Sequence, residues 1–315
     1  MVIKRSRGAT SDGSSTAHPG ESLHFYSVRS GDGTVVEAWT NDADGPTVLL
    51  ANGLGTNPHV WPSLLRKDCG VRVISWNHRG IGGSERPADR ERVGVDTFVE
   101  DALAVLDDAG VESAVVLGWS IGVNTAFELA VRFPERVRGI VAVAGVPGGT
   151  FHAMGAPLRI PRFARQPVAR AVARTLQTVG PAVSPVLRQL RLGPLATKAL
   201  QHSGFMLPGA DPAVVRRAVH TYLETPLQWG MHLARSADEH TRVSLSKVAV
   251  PTVFIAGTHD VLASAKDMRS AANRIPGAQY VELNASHFIP MERPDTVLRH
   301  LREVVELTEA ERSTG

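Results

Sequence analysis

The sequence predicts an α/β protein: a mostly parallel central sheet with helices on both faces and an inserted all-helical cap. Three observations lead there. Apolar runs of strand length recur without polar alternation, as strands buried on both faces do. Segments of helical period lie between them. The alternation then stops between Pro147 and about Leu245, where short helical patterns are punctuated by prolines and no convincing strand occurs.

The elements follow in order. Residues 23–28 and 35–39 are β-type runs flanking Gly31-Asp32-Gly33, a hairpin signal. Residues 46–51 form an apolar run that closes on Asn52-Gly53-Leu54-Gly55, and residues 71–76 another that closes on Asn77 to Ser84. Further strands are expected at 113–117, 139–144, 251–256 and 279–283, and helices at 96–109, 121–132 and 295–307. The core is therefore assigned to 21–146 and 246–308, and the cap to 147–245. Residues 1–20 begin with a basic stretch, have no apolar segment after it and are rich in Ser, Gly and Thr. They are expected to form a flexible tail, not a secretion signal, which places the protein in the cytoplasm. Residues 309–315 are expected to form a second flexible tail.

Composition narrows the function. A hydrophobic fraction of 43% and a charged fraction of 21% are ordinary for a globular enzyme. The formal net charge of +3 is too small to argue for nucleic acid. The single cysteine, Cys69, excludes an internal disulfide and a cysteine zinc cluster, and is expected to be a buried, inert thiol. No apolar run reaches the ~18–20 residues of a membrane span.

Gly118-Trp119-Ser120-Ile121-Gly122 matches G-x-S-x-G. The pattern alone is weak, but here it follows an apolar strand and opens a helix. A sharp strand-to-helix turn crowds the backbone and demands small neighbours. It also places Ser120 at the positive end of a helix, where developing negative charge is favoured. A serine hydroxyl needs an adjacent base, and the base an orienting acid. Of twelve histidines, His287 follows the β-type run 279–283 in a loop, at the sheet edge where chemistry collects. His202, His220, His232 and His240 fall in the cap, His18 in the tail and His300 on the last helix. Asp260 directly follows the strand 251–256 and is the candidate acid. Its neighbour His259 should point the other way. One strand earlier, Ala144-Gly145-Val146-Pro147 offers no carboxylate.

With these residues in hand, the sequence resembles the α/β-hydrolase family, in particular its capped serine esterase and lipase-like branch. The resemblance covers about residues 23–307. It rests on the loop Asn52 to Gly55, the loop Arg79 to Ser84, the elbow at Ser120, the segment Gly257 to Asp260 and the Ser286-His287 loop. It implies that the backbone N–H groups of Leu54 and Ile121 form an oxyanion hole against the substrate. Two positions depart from the family's pattern. Asn52-Gly53 stands where His-Gly is common, and Val123 where a second glycine is common. Asn52 can shape a turn by local hydrogen bonding. Val123 is expected to widen the helix–strand packing slightly.

The expected reaction is cleavage of a carboxylic ester or thioester through an acyl-enzyme, with Ser120 as nucleophile, His287 as base and Asp260 orienting it. No metal or cofactor is implied. Relatives that open epoxides or displace halides carry a carboxylate at the elbow, so Ser120 disfavours both. Carbon–carbon bond hydrolysis, a cofactor-free haloperoxidase reaction and a ligand-binding signalling role on the same scaffold remain open. So does the oligomeric state.

From Thr150 to Ala210 there is no Asp or Glu, but there are seven arginines and one lysine. Arg162, Gln166, Arg170 and Arg174 recur at helical spacing beside an apolar row of Val168, Val172 and Leu176. One expectation is a solvated basic face over a packed apolar one. The other is that the basic cap attracts anionic, lipid-like substrates or membrane headgroups.

Overall fold

The computed structural model describes residues 22–155, 158–240 and 243–314. The expected N-terminal tail lies outside them. Eight strands form one sheet: β1 (His24–Arg29), β2 (Val35–Thr40), β3 (Thr47–Ala51), β4 (Arg72–Trp76), β5 (Ala114–Trp119), β6 (Val137–Val143), β7 (Thr252–Gly257) and β8 (Gln279–Leu283). Their spatial order is β1-β2-β4-β3-β5-β6-β7-β8. The hairpin strand β2 pairs antiparallel with β1 and β4, and every later pairing is parallel. All eight expected strands are present.

The sheet shows why its strands are apolar throughout. Leu49 and Val116 point into a core under α1 (Val95–Asp108) and α2 (Gly122–Arg132). Their neighbours Val48, Leu50, Val115 and Leu117 point into a second core on the opposite face. Each face therefore has its own cover. Full burial of one such side chain stabilises by about 1.5–3 kcal/mol, so a polar residue at any of them would cost on either side.

The insertion after β6 is helical: α3 (Thr150–Ala153), α4 (Arg162–Leu187), α5 (Pro194–Gln201), α6 (Pro212–Glu224) and α7 (Leu227–Asp238). The chain then returns through β7, α8 (Ala265–Ala272), β8, α9 (Ile289–Glu292) and α10 (Pro294–Thr314). Three sequence expectations are corrected here. First, the prolines do not break α4, which runs through Pro167, Pro181 and Pro185. Each interior proline removes a helix hydrogen bond, and packing against α7 offsets the loss. Gly180 touches Gln228, and Ser184 Oγ donates to Gln228 Oε1 and accepts from the Leu227 amide. Second, α4 is rotated from the expected arrangement: of the basic row only Gln166 and Arg170 turn toward the protein, Arg162 and Arg174 stay exposed, and Leu176 of the apolar row is half-buried. Val168 and Val172 are exposed. Gln166 and Arg170 instead face inward, donating to the buried Asp238 carboxylate at 3.1 and 2.7 Å. A buried carboxylate without a partner costs far more than two exposed valines, which fixes the rotation. Third, residues 309–314 continue α10 and are not a tail. Arg138 pairs with Glu309 there, and no proline or glycine interrupts the helix before Gly315.

A buried ion cluster ties the hairpin to the rest. The Arg79 side chain is fully buried and binds Asp101 on α1 through Nε (3.0 Å) and Nη2 (2.7 Å). Its Nη1 reaches Asp32 in the hairpin turn at 2.5 Å. Next to it, His78 packs edge-on against Phe98 with ring centroids 4.5 Å apart, and burial pushes its imidazole down to about 4.

Arg79→Met should cost about 3–5 kcal/mol in a urea titration, because Asp101 is left charged and buried. Arg79→Met with Asp101→Leu should recover much of that. A single-variant loss near zero would mean that the cluster contributes nothing. For His78 the sign runs toward acid. The folded imidazole stays neutral while the unfolded one takes a proton below 6.5. This part of the stability is complete above pH 6.5 and is lost as the pH falls toward 4. Urea midpoints of His78→Gln measured from pH 7 to 4.5 should therefore slope less than those of the wild type.

Candidate active site

Ser120 sits between the end of β5 and the start of α2 with φ +56°, a left-handed conformation that costs a non-glycine residue about 1–3 kcal/mol. The flanking glycines permit it. A Cβ on Gly118 would lie 2.8 Å from the Gly122 carbonyl oxygen, and one on Gly122 would collide with the Ala51 carbonyl on β3. Val123, where a small residue is usual, is accommodated by Gly145 opposite. A Cβ there would come within 2.5 Å of Val123 Cγ2.

The three residues chosen from sequence meet. Ser120 Oγ is 2.9 Å from His287 Nε2, and His287 Nδ1 is 2.9 and 3.0 Å from the two carboxylate oxygens of Asp260. Asp260 is 1% exposed and His287 5%, while Ser120 is half-buried. A carboxylate can only accept, so Nδ1 carries the proton and Nε2 is left to accept from the serine hydroxyl. Asp260 is itself held by the amides of Leu262 and Ala263, both 2.8 Å from Oδ1. His259 points to solvent, as expected.

The other histidines are occupied elsewhere. His202 contacts the Lys198 carbonyl, His232 the Arg90 carbonyl, His220 faces Glu224, His240 Glu128 and His300 Glu303. His18 lies outside the described residues. Among the described residues no group of three or more His, Cys, Asp or Glu could hold a metal ion. Cys69 is buried, with Asn41 Nδ2 donating to its sulfur.

Ile121 directly follows Ser120, and Leu54 lies in the loop after β3, the strand that pairs with β5. Neither amide donates to an acceptor among the described residues. The Asn52 side chain braces the first loop: Oδ1 accepts from its neighbour Gly53 N and from Trp61 Nε1 at 2.9 Å. Gly53 lets this loop lie close to the elbow, since a Cβ there would press on the Trp119 ring at 3.0 Å.

Two residues not singled out by the sequence reading hold the His287 loop in place. Trp119 donates from Nε1 to the His287 carbonyl at 3.1 Å and lies 5.7 Å from its ring. Glu292 is buried and accepts from Ser286 N (2.8 Å), Ser286 Oγ (2.6 Å) and the cap residue Leu207 N (2.8 Å). It thus spans the His287 loop and the cap. Its signal was an acid closing the apolar stretch Phe288 to Met291, only five residues past the histidine.

A family model described as alpha/beta hydrolase fold matches residues 46–294. The chain belongs to that family. This alpha/beta hydrolase is 24% identical over 273 residues to 3-oxoadipate enol-lactonase 2 of Acinetobacter baylyi, covering 84% of this chain and 89% of that protein. It is 26% identical over 310 residues to epoxide hydrolase A of Mycobacterium tuberculosis, covering 85% and 92%. Among solved structures, an enol-lactonase from Burkholderia xenovorans superposes with a TM-score of 0.67 at 23% identity, over 89% of this chain and all of that one. A thermophilic esterase from Thermogutta terrifontis does so with 0.68 at 20% identity, over 90% and 99%. These structures share the fold of the alpha/beta hydrolase described above.

Glu292→Gln keeps the shape but replaces one accepting oxygen by a donor. It should cost on the order of 1–3 kcal/mol of stability and slow labelling of Ser120 by a fluorophosphonate at least severalfold. Unchanged labelling would mean that Glu292 does not position the base.

Proposed function

We propose that this hydrolase cleaves a carboxylic ester or thioester through an acyl-enzyme on Ser120. The observation that carries this reading is the unbroken hydrogen-bonded line from Ser120 Oγ through His287 to the buried Asp260 carboxylate. His287 Nε2 takes the hydroxyl proton as Oγ attacks the acyl carbon. Asp260 stabilises the imidazolium and keeps the ring oriented. The amides of Leu54 and Ile121 receive the oxyanion, each contributing ~2.7–4 kcal/mol to the transition state. As the intermediate collapses, the C–O or C–S bond breaks and Nε2 returns the proton to the leaving alcohol or thiol. Water, deprotonated by the same nitrogen, then attacks the acyl-serine, and Ser120 leaves with its proton restored.

The lactonases and esterases among its relatives support ester chemistry, and a cyclic ester fits the same steps. An epoxide does not. Attack by a serine on an epoxide carbon yields an ether, which has no acyl carbon for water to attack. A carboxylate nucleophile would instead give a hydrolysable ester.

A fluorophosphonate probe should label the wild type and not Ser120→Ala. Ser120→Ala and His287→Ala should each lower kcat on a p-nitrophenyl ester about 10⁴-fold or more. The double variant should be little worse than either, since the residues act as one unit. A wild type that neither labels nor turns over any of a graded series of esters, lactones and thioesters would remove the proposal.

A further inference from the structure

Helix α4 shows its apolar side to solvent. Val168, Val172, Val179, Val183 and Val186 fall within an arc of about 60° on a helix of 3.6 residues per turn, and are 37–64% exposed. Leu158, Phe163 and Leu195 of the same insertion are 67%, 85% and 85% exposed. Scattered single apolar residues on a surface are ordinary. Here ten of the thirteen exposed large hydrophobic side chains among the described residues lie between 158 and 205, so they form a concentration.

The segment that carries them has charge of one sign only. Residues 150–210 carry eight cations and no Asp or Glu. Arg162 and Arg165 pair with Asp267, and Arg170 with Asp238. Arg159, Arg174, Arg188, Arg191 and Lys198 remain exposed, without a carboxylate partner among the described residues. A second copy of the chain would bring the same five cations against them, which opposes self-association. A surface that offers both hydrocarbon and negative charge satisfies the stripe and its cations together.

We propose that the outer face of α4 docks on an anionic lipid surface, with its valine stripe entering the headgroup boundary. The inference is independent of the chemistry assigned to Ser120, because its readout is binding.

The full chain is incubated at low salt with vesicles of phosphatidylcholine alone and of equimolar phosphatidylcholine and phosphatidylglycerol, then floated on a density gradient. The anionic vesicles should carry at least tenfold more protein, and the difference should shrink as salt is raised. Val172→Asp with Val179→Asp should abolish flotation, and Arg174→Glu with Arg188→Glu should abolish the preference for anionic lipid. All four positions are exposed, so unchanged thermal midpoints verify the fold. A wild type that stays with the soluble fraction in both mixtures overturns the proposal. So does light scattering that finds a dimer, split by the aspartates, with no vesicle binding, for the stripe would then belong to a second copy.

Discussion

The backbone turn at Ser120 is the constraint on which the site depends. Gly118 has no room for a methyl group against the start of α2, nor Gly122 against the end of β3, and Ser120 between them is held in a left-handed conformation. That strain lifts one side chain clear of the sheet edge and leaves the next amide, that of Ile121, without a protein acceptor among the described residues. A relaxed turn would satisfy the backbone and bury the hydroxyl. The two apolar cores under β3 and β5 hold the strained geometry, since both strands are packed from both sides.

His287 is fixed from three directions. Asp260 sets the tautomer, Trp119 holds the main chain of His287 from the elbow itself, and Glu292 holds the residue before it. Gly257 belongs to this arrangement: a Cβ there would lie 2.5 Å from the carbonyl oxygens of Ala285 and Ser286, so the acid-bearing and histidine-bearing loops approach closely because of it. Ser120, Asp260 and His287 lie far apart in the chain, yet each follows the C-terminal end of a parallel strand at one rim.

Much of this was legible in the sequence, for physical reasons. Strands buried on both faces cannot alternate, so their apolar runs stand out, and each candidate residue sits directly behind one. The elbow carries its own steric signature in two glycines. What was not legible depended on partners remote in the chain. The rotation of α4 is set by Asp238, 68 residues beyond Arg170, and a helical wheel holds no information about that carboxylate. The same wheel places the valines together but cannot tell inside from outside. The continuity of α4 through three prolines rests on packing against α7, and so a local rule that prolines end helices fails there. Glu292 lay in plain view beside His287, but its role requires knowing that the cap comes back to meet it.

That meeting point has a consequence for how such a protein can change over time. The Glu292 carboxylate joins the Leu207 amide of the insertion to the strand-end loop of the core, so the insertion also helps to hold the loop that carries His287. Any altered insertion must supply a donor at the place of Leu207, or one of the contacts that hold the His287 loop is lost. Lineage diversification is thereby channelled toward insertions that keep this single main-chain junction, however different the rest becomes.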